Sequence, residues 1–278
     1  MPQSHLINEI NRIYEEFNLP TPQVKNVVAA IDSMLSVNTG RGSLHIILGE
    51  SGCGVSTATK MCQDILLRRS INTIVLSPRA FSDGNNPWEA LLEYYGFTYQ
   101  GAKLQSTKNQ IIPYFILNLI RHAKIDCIIL NDFLEGVITR IKKQQLINAC
   151  LSLARTPMSI NIIIGTTKRA YGATCTDDIL TSIHCIQEWE NGVGFSSFMG
   201  ILENTLSEKH TINIDLRSHA ETIFKLCSGN TGNLFYLLKE HAIHALLTGP
   251  AQAPLSNEFP PLKATLQNNA YLFSIESS

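Results

Sequence analysis

The fold of this chain is decided by the stretch Leu44-His-Ile-Ile-Leu-Gly49-Glu-Ser-Gly52-Cys-Gly54-Val55-Ser56-Thr57. Four apolar residues of the kind that form strands run into a glycine-rich turn, and a helix is predicted from Thr57 to Arg69. This order of elements is typical of the phosphate-binding loop G-x-x-x-x-G-K-[ST]. In such a loop, backbone amides surround a phosphate and the helix N-terminus adds a partial positive charge.

The loop has the glycine spacing of a nucleotide site but lacks its main cation. Val55 stands where the motif has lysine, and Ser56 stands where the motif has the hydroxyl that binds magnesium. The alternative is a strand-to-helix turn with no ligand. We predict a nucleotide site with Ser56 as the magnesium ligand, if magnesium binds, and with these residues around the phosphates: Gly49, Gly52, Gly54, Val55, Ser56 and Thr57.

Composition excludes several classes of protein. The 278 residues are 44% hydrophobic and carry a formal net charge of −1, so bulk charge does not indicate a nucleic-acid binder. The seven cysteines include no C-x-x-C pair, which favours buried thiols in a reducing compartment. No signal-peptide pattern and no membrane-length apolar run is present, so we expect a cytoplasmic protein without a membrane partner.

The apolar pattern predicts an α/β fold. Short apolar runs alternate with amphipathic helices, which favours a parallel sheet covered on both faces. Predicted strands are 44–48, 71–76, 127–130 and 160–164, and Thr21 is expected to cap a helix that starts at Pro22. Four segments are predicted: an N-terminal helical extension (1–40), an α/β core (41–190), a small helical lid (191–248) and a C-terminal tail (249–278).

Polar residues follow the third and fourth predicted strands. Ligands of parallel α/β sheets bind at the carboxyl ends of strands. Asn131 stands at the position of a metal-binding carboxylate, and Asp132 at that of the residue that activates water. Thr166 is placed to sense a γ-phosphate. The alternatives are a helix cap or turn for Asp132 and a strand-end turn for Thr166.

Local basic groups are the candidates for nucleic-acid contact. We predict contacts from Arg79, Lys103 and Lys108, in or beside the loops after the second strand. A second small cluster contains Arg140, Lys142 and Lys143. The alternative for each of these side chains is an ordinary solvated surface position.

Six segments together carry a resemblance to a known family. They are Gly49-Glu-Ser-Gly-Cys-Gly54, Ile128-Ile-Leu-Asn-Asp132, Lys143-Gln144 with Asn148-Ala149, Ile163-Ile-Gly-Thr166, Asp178-Ile-Leu with Trp189, and Ser228-Gly with Gly232-Asn-Leu. In this order and spacing they resemble the TniB/TnsC type of AAA+ protein, the ATP-dependent regulators of transposition. The likeness covers roughly 22–247, and the phage protein MuB is a more distant relative.

The resemblance implies an AAA+ P-loop domain with a helical lid and ATP with magnesium as cofactors. It also implies partners of three kinds: copies of itself or paralogous AAA+ subunits, a transposase or target-selection protein, and DNA. The chain departs from the family at the residues of hydrolysis. Val55 replaces the lysine, Asn131 the aspartate, Asp132 the glutamate, Ile183 the arginine finger and Asn233 a lid arginine. We therefore expect weak or absent ATP and magnesium binding.

The sequence leads to one functional hypothesis with two alternatives. The hypothesis is an AAA+ regulator of DNA transposition that acts as a scaffold between DNA, transposase and target-selection partners, with ATP hydrolysis lost. One alternative is an active ATP-hydrolysing transposition protein, which phosphate release would reveal. The other is a defence or regulatory module of the same fold, which the neighbouring genes would distinguish.

Overall fold

A computed structural model describes residues 8, 11–12, 19–37, 41–78, 87–97, 112–137, 139–172, 178–210 and 215–248, the side chains of 210, 241 and 244–248 excepted. The chain divides into two compact units. One is an α/β unit, Pro20–Gln187, and the other is a helical unit formed by Met1–Leu19 and Glu188–Ser278. The segment boundaries predicted from the sequence stay predictions.

The α/β unit alternates helices and strands along the chain. Its described helices are α1 (Pro22–Ser36), α2 (Val55–Arg68), α3 (Pro87–Tyr94), α4 (Tyr114–His122), α5 (Arg140–Ala154) and α6 (Lys168–Tyr171). Its described strands are β1 (Leu44–Gly49), β2 (Thr73–Leu76), β3 (Cys127–Asn131), β4 (Asn161–Thr167) and β5 (Thr181–Cys185).

The five strands form one parallel sheet in the order β2-β3-β4-β1-β5. This confirms the α/β fold class. The sequence prediction missed β5, because its residues, Thr-Ser-Ile-His-Cys, give no apolar run and the strand lies at a sheet edge with only partial burial. The register pairs Gly49 with Thr167 and Asn131 with Gly165, so the glycine-rich loop follows a strand whose neighbour carries Thr166.

Helices cover both faces of the sheet, as continuous apolar strands require. Ile46 and Ile164 point to the face shared with α3, α4 and α5, while Ile47 and Ile163 point to the face shared with α1 and α2. The predicted cap of α1 is confirmed, since the Thr21 side chain accepts a hydrogen bond from the amide of Val24 at 3.3 Å.

The fourth helix is shorter than the sequence suggests. The periodicity predicts a helix over 107–123, whereas α4 begins at Tyr114, directly after Pro113, and residues 107–111 lie outside the described part. Phe115, predicted to face inward, is 45% exposed. Proline fixes its own φ and disfavours helical geometry in the residue before it, which accounts for a start at this point.

A hydrogen-bonded chain of polar side chains joins β4, β1 and β5. We call it the amino edge, because Ser43, His45 and Asn161 lie at the amino ends of their strands, and His184 reaches them from further along β5. The Ser43 hydroxyl donates to Oδ1 of Asn161 at 2.9 Å and lies 2.8 Å from Nε2 of His45. Nδ1 of His45 lies 3.2 Å from Nε2 of His184. Because the serine hydrogen is used on Asn161, Nε2 of His45 is the donor in its contact with the Ser43 oxygen. Burial, with His184 beside it, lowers the pKa of His45 to about 4.

The helical unit contains α7 (Val193–His210), α8 (Ala220–Cys227) and α9 (Thr231–Thr248). Its core is aromatic and aliphatic, and the ring of Trp189 stacks on Phe198 at a centroid distance of 4.9 Å. The carboxylate of Glu203 joins α7 to the start of the next segment by accepting from the amides of Leu216 and Arg217 at 3.1 and 3.2 Å. None of the described helices has the length and apolarity that a membrane crossing requires.

Candidate functional site

The glycine-rich loop has the backbone of a phosphate cradle. It connects the end of β1 at Gly49 to the start of α2 at Val55, and Gly52 and Gly54 have φ of 83° and 100°. A side chain at Gly54 would be strained at this φ, and its Cβ would lie 2.8 Å from a methyl of Val24. The N-cap of α2 is Gly54, which offers no side chain to the amides of the first turn.

Val55 fills the position of the loop cation with hydrocarbon. Its side chain is only 8% exposed and belongs to the apolar cluster that contains Ile47. A Cβ added at Gly49 would lie 2.9 Å from one Val55 methyl, and one added at Gly165 would lie 3.2 Å from the other. The valine therefore packs into the gap between the ends of β1 and β4, where two glycines make room for it.

The polar residues after Val55 differ in exposure. Ser56, the predicted magnesium ligand, is exposed, and Thr57 is half-buried. One turn further along, the buried Thr59 hydroxyl lies 2.9 Å from the carbonyl of Ser56 and 3.2 Å from Oδ1 of Asn131. A hydroxyl has one hydrogen, so the two acceptors share it. The loop helix is thus connected to the end of β3.

Asn131 and Asp132 are bonded to each other at the end of β3. The Asn131 side-chain amide donates from Nδ2 to the Asp132 carboxylate at 2.9 Å, while its Oδ1 accepts from the Thr59 hydroxyl. Asp132 has φ of 59°, and its amide donates to the Gly165 carbonyl at 2.9 Å. Burial, with Glu135 beside it, raises the pKa of the Asp132 carboxyl. The two predicted site residues are therefore adjacent but mutually engaged.

Thr166 is held by a residue that the sequence prediction missed. Its side chain is fully buried, and its hydroxyl donates to Oε1 of Glu135 at 3.2 Å. The same oxygen accepts from the amide of Thr167 at 2.7 Å. The signal in the sequence was an acid three residues after Asp132, in the loop that follows a buried strand. Glu135 thereby joins the ends of β3 and β4.

A lysine that the sequence prediction also missed lies beside the loop. Nζ of Lys168, the first residue of α6, is 3.6 Å from Oε1 of Glu50, the second residue of the loop. Lys60, the other lysine close to the loop in the sequence, is exposed on α2. The signal for Lys168 was its place two residues after Thr166, at the carboxyl end of the neighbouring strand.

The residues predicted to contact DNA lie outside the described part: Arg79, Lys103 and Lys108. The second basic cluster is described. Arg140, Lys142 and Lys143 are in the first turn of α5, which contains no acid. The ammonium of Lys143 donates to the carbonyl of Ala170 in α6.

The two remaining family positions lie in different units. Ile183, at the predicted finger position, is in the edge strand β5 and is 47% exposed. Asn233, at the predicted position of a lid arginine, is in the first turn of α9, where its backbone N–H donates to Oδ1 of Asn230 at 3.1 Å. Neither position carries a cation.

The residues present fit the phosphates of a nucleotide better than they fit its metal. The loop offers uncapped helix amides and left-handed glycines, which suit an anion. The metal side offers an exposed Ser56 hydroxyl but an amide at Asn131, which supplies no charge for magnesium. Across the described residues, no group of three or more His, Cys, Asp or Glu side chains could hold a metal ion.

No family model matches the sequence, and no curated protein matches it. Solved structures do match. The ORC2 protein of Aeropyrum pernix, solved as ADPNP–ADP complexes, has a TM-score of 0.56 and 14% identity over 96% of this chain and 74% of that chain. The ORC1 protein of Aeropyrum pernix, solved in complex with DNA, has a TM-score of 0.53 and 11% identity over 90% of this chain and 66% of that chain.

At such low identity these likenesses concern the fold alone. They agree with the α/β fold class. The chain therefore has the α/β fold of a P-loop AAA+ domain.

Proposed function

We propose that this protein is an AAA+-type regulator of DNA transposition, a scaffold that links DNA, a transposase and target-selection partners without hydrolysing ATP. The observation that carries the proposal is Val55, whose buried side chain packs where the loop cation belongs. The transposition role comes from the order of six sequence motifs, and the loss of hydrolysis from the replaced residues.

The charge balance of the site argues against hydrolysis. Transfer of a γ-phosphoryl group depends on positive charge placed around its oxygens, and an arginine finger alone contributes about 10³–10⁵ in rate. Here the loop position is Val55 and the finger position is Ile183. Asn131 carries no charge for a metal, and Asp132 accepts a hydrogen bond from Asn131. The site therefore lacks the positive charges that phosphoryl transfer requires, and its strand-end carboxylate is engaged by Asn131.

The proposed DNA contact is supported by a basic patch, defined as Arg140, Lys142, Lys143 and Arg169. Cations in the first turn of a helix oppose its dipole and cost about 0.3–1 kcal/mol each. The first turn of α5 nevertheless contains three cations and no acid, and the ammonium of Lys143 donates to the carbonyl of Ala170, the residue after Arg169 in α6. A surface that concentrates positive charge at this cost suits the phosphates of a polyanion.

The proposed assembly does not depend on nucleotide. In the family that the sequence resembles, ATP lies between subunits and the finger comes from the next subunit. With Ile183 at that position, such an interface loses its main charged contact. We expect copies of this chain, or a paralogue that supplies the missing groups, to assemble through apolar and polar contacts.

Phosphate release tests the loss of hydrolysis. The purified chain is incubated with ATP and magnesium, with and without duplex DNA, and release is compared with a buffer blank. We expect a rate equal to the blank in both cases. Turnover that disappears in an Asp132→Ala variant would contradict the proposal, since it would show that the strand-end carboxylate still acts.

Anisotropy of a labelled DNA duplex over a salt series tests the DNA contact. Replacing Lys142 and Arg169 by glutamate is expected to weaken binding at least tenfold and to reduce the salt slope by about 0.9 for each phosphate that the variant no longer neutralises. The matched control replaces Lys25 and Lys60, exposed cations on α1 and α2, and should leave both quantities unchanged. A wild-type chain that does not bind duplex DNA would overturn the DNA role.

A third variant separates the two predicted surfaces. It replaces Arg79, Lys103 and Lys108 by alanine. If this variant loses affinity and the basic-patch variant does not, the DNA contact belongs to the loops after β2 and the basic patch is excluded.

A further inference from the structure

We propose that Lys168 supplies the phosphate-neutralising cation that the loop lacks, so that nucleotide is held by a loop from one strand and a lysine from the next. This inference rests on the proposed function, in which the loop holds nucleotide without hydrolysing it. It adds a binding residue that the loop motif does not contain.

The register of the sheet places Lys168 beside the loop. Gly49, the last residue of β1, is paired with Thr167, the last residue of β4. The next residue on each strand is therefore Glu50 on one side and Lys168 on the other, and their side chains meet with Nζ 3.6 Å from Oε1. The ammonium is thus at the carboxyl edge of the sheet, where ligands of this fold class bind.

Val55 and Lys168 flank the same gap between β1 and β4. Val55 packs between Gly49 and Gly165, so its methyl groups form an apolar floor at the position from which a loop lysine would extend. Lys168 stands three residues after Gly165, as the first residue after the end of β4. A lysine at this position would reach the loop from the neighbouring strand end and not from the loop itself.

The ion pair with Glu50 holds the Lys168 ammonium beside the loop, and it is weak enough for a bound phosphate to displace it. The side chains are 39% and 45% exposed, and ion pairs at this exposure are weak because water screens them. A phosphate bound by the loop carries more negative charge than one carboxylate and offers charge-assisted hydrogen bonds to the ammonium. Glu50 therefore competes with the ligand for Lys168, and its removal should tighten binding.

Equilibrium titration with ATP and with ADP, followed by calorimetry without any turnover readout, tests the assignment. Lys168→Ala is expected to weaken binding of both nucleotides by about tenfold, the loss of one charge-assisted hydrogen bond. Glu50→Gln is expected to tighten binding severalfold. The matched control is Lys60→Ala, which removes an exposed cation from α2 and should change nothing.

The outcomes distinguish this inference from the proposed function. If the wild type binds nucleotide and Lys168→Ala binds equally well, Lys168 is not the cation, and the scaffold proposal is unaffected. If the wild type binds neither nucleotide, the inference is overturned, while DNA binding by anisotropy still measures the scaffold role. A Glu50→Gln variant with weaker binding also contradicts the inference, because it would make Glu50 a ligand-side residue and not a competitor.

Discussion

Polar residues lie at both ends of the strands in the central sheet, and the two sets have different roles. At the amino edge, Ser43, His45, His184 and Asn161 form a hydrogen-bonded chain, and His45 is 1% exposed. At the carboxyl edge, Asp132 is half-buried in a left-handed backbone conformation. The difference indicates that the amino edge fastens strands together, whereas the carboxyl edge keeps polar groups and strain where ligands bind.

At the carboxyl edge, the side chains and the loop backbone differ in what they offer a ligand. The loop keeps glycines at positive φ, but the polar groups at the strand ends bond to one another: Asn131 to Asp132, and Glu135 to Thr166. These hydrogen bonds engage the polar side chains within the sheet, while the glycines give the loop the backbone shape of a phosphate cradle.

The largest effect that we expect is a loss of stability in acid, and its source is the buried histidine of the amino edge. The folded pKa of His45 is lowered from 6.5 to about 4, so unfolding takes up a proton in this range. The contribution of His45 to the free energy of unfolding is therefore fully present above pH 6.5. It is lost as the pH drops through 6.5 toward 4, and the loss is about 3 kcal/mol. Urea unfolding at a series of pH values measures this loss.

A pair of histidine variants checks the source of that acid loss. His45→Gln should reduce the dependence on pH, since it removes the buried imidazole, and the part that remains comes from His184, whose pKa burial also lowers. His122→Gln, at an exposed position on α4, should leave the dependence unchanged. An equally steep acid loss in both variants would show that the amino edge is not responsible.

Two glycine-to-alanine variants test whether the loop backbone requires glycine at position 54. Gly54→Ala adds strain at φ 100° and a contact with Val24, so we expect a loss of about 2–3 kcal/mol in the free energy of unfolding. Gly96→Ala is the matched control, with φ of 77° and open space around the added Cβ, and should cost about 1 kcal/mol. Equal losses would mean that packing against Val24 is unimportant.

Thr59 connects the loop helix to the strand end, and its removal should have a moderate effect. Thr59→Val takes the hydrogen bond from Oδ1 of Asn131 and from the Ser56 carbonyl, for an expected loss of about 1–2 kcal/mol in unfolding free energy. Thr59→Ser keeps the hydroxyl and should therefore retain most of the stability that Thr59→Val loses. If serine and valine destabilise equally, the methyl group and not the hydroxyl is what matters.

The smallest expected effect concerns the charge on Asp132. Burial and Glu135 raise its folded pKa, so the folded state binds more protons than the unfolded chain between the two pKa values. The ionised carboxylate therefore reduces stability as the pH rises through this range. Asp132→Asn should raise the melting temperature slightly at neutral pH and not below the unfolded pKa of 3.8. A lower melting temperature at neutral pH would contradict this assignment.

The sequence predicts the carboxyl edge far better than the amino edge. Gly49, Gly54 and Val55 lie within seven residues and form a motif whose backbone geometry follows from glycine alone. His45 and His184 are 139 residues apart, and only the pairing of β1 with β5 brings them together. β5 itself gave no apolar signal, so this contact could not be anticipated.

The same limit applies to the side chains that close the site. Asn131, Asp132 and Thr166 were predicted as ligand-facing residues from their place after strands, and the register does bring them to one edge. Their hydrogen bonds with one another and with Glu135 depend on rotamers and on neighbours from other strands, which no local pattern encodes. Lys168 was missed for a similar reason, since its proximity to Glu50 comes from the pairing of β1 with β4.

The central claim, that the loop keeps its phosphate cradle while hydrolysis is lost, is tested most directly by the fate of bound nucleotide. Labelled ATP is mixed with protein at a concentration at which equilibrium titration shows it bound, and samples are quenched in acid over hours and separated into ATP and ADP. We predict that the bound label converts to ADP no faster than in a protein-free control. Bound ATP that converts to ADP faster than this control, and stops converting in Asp132→Ala, would contradict the account.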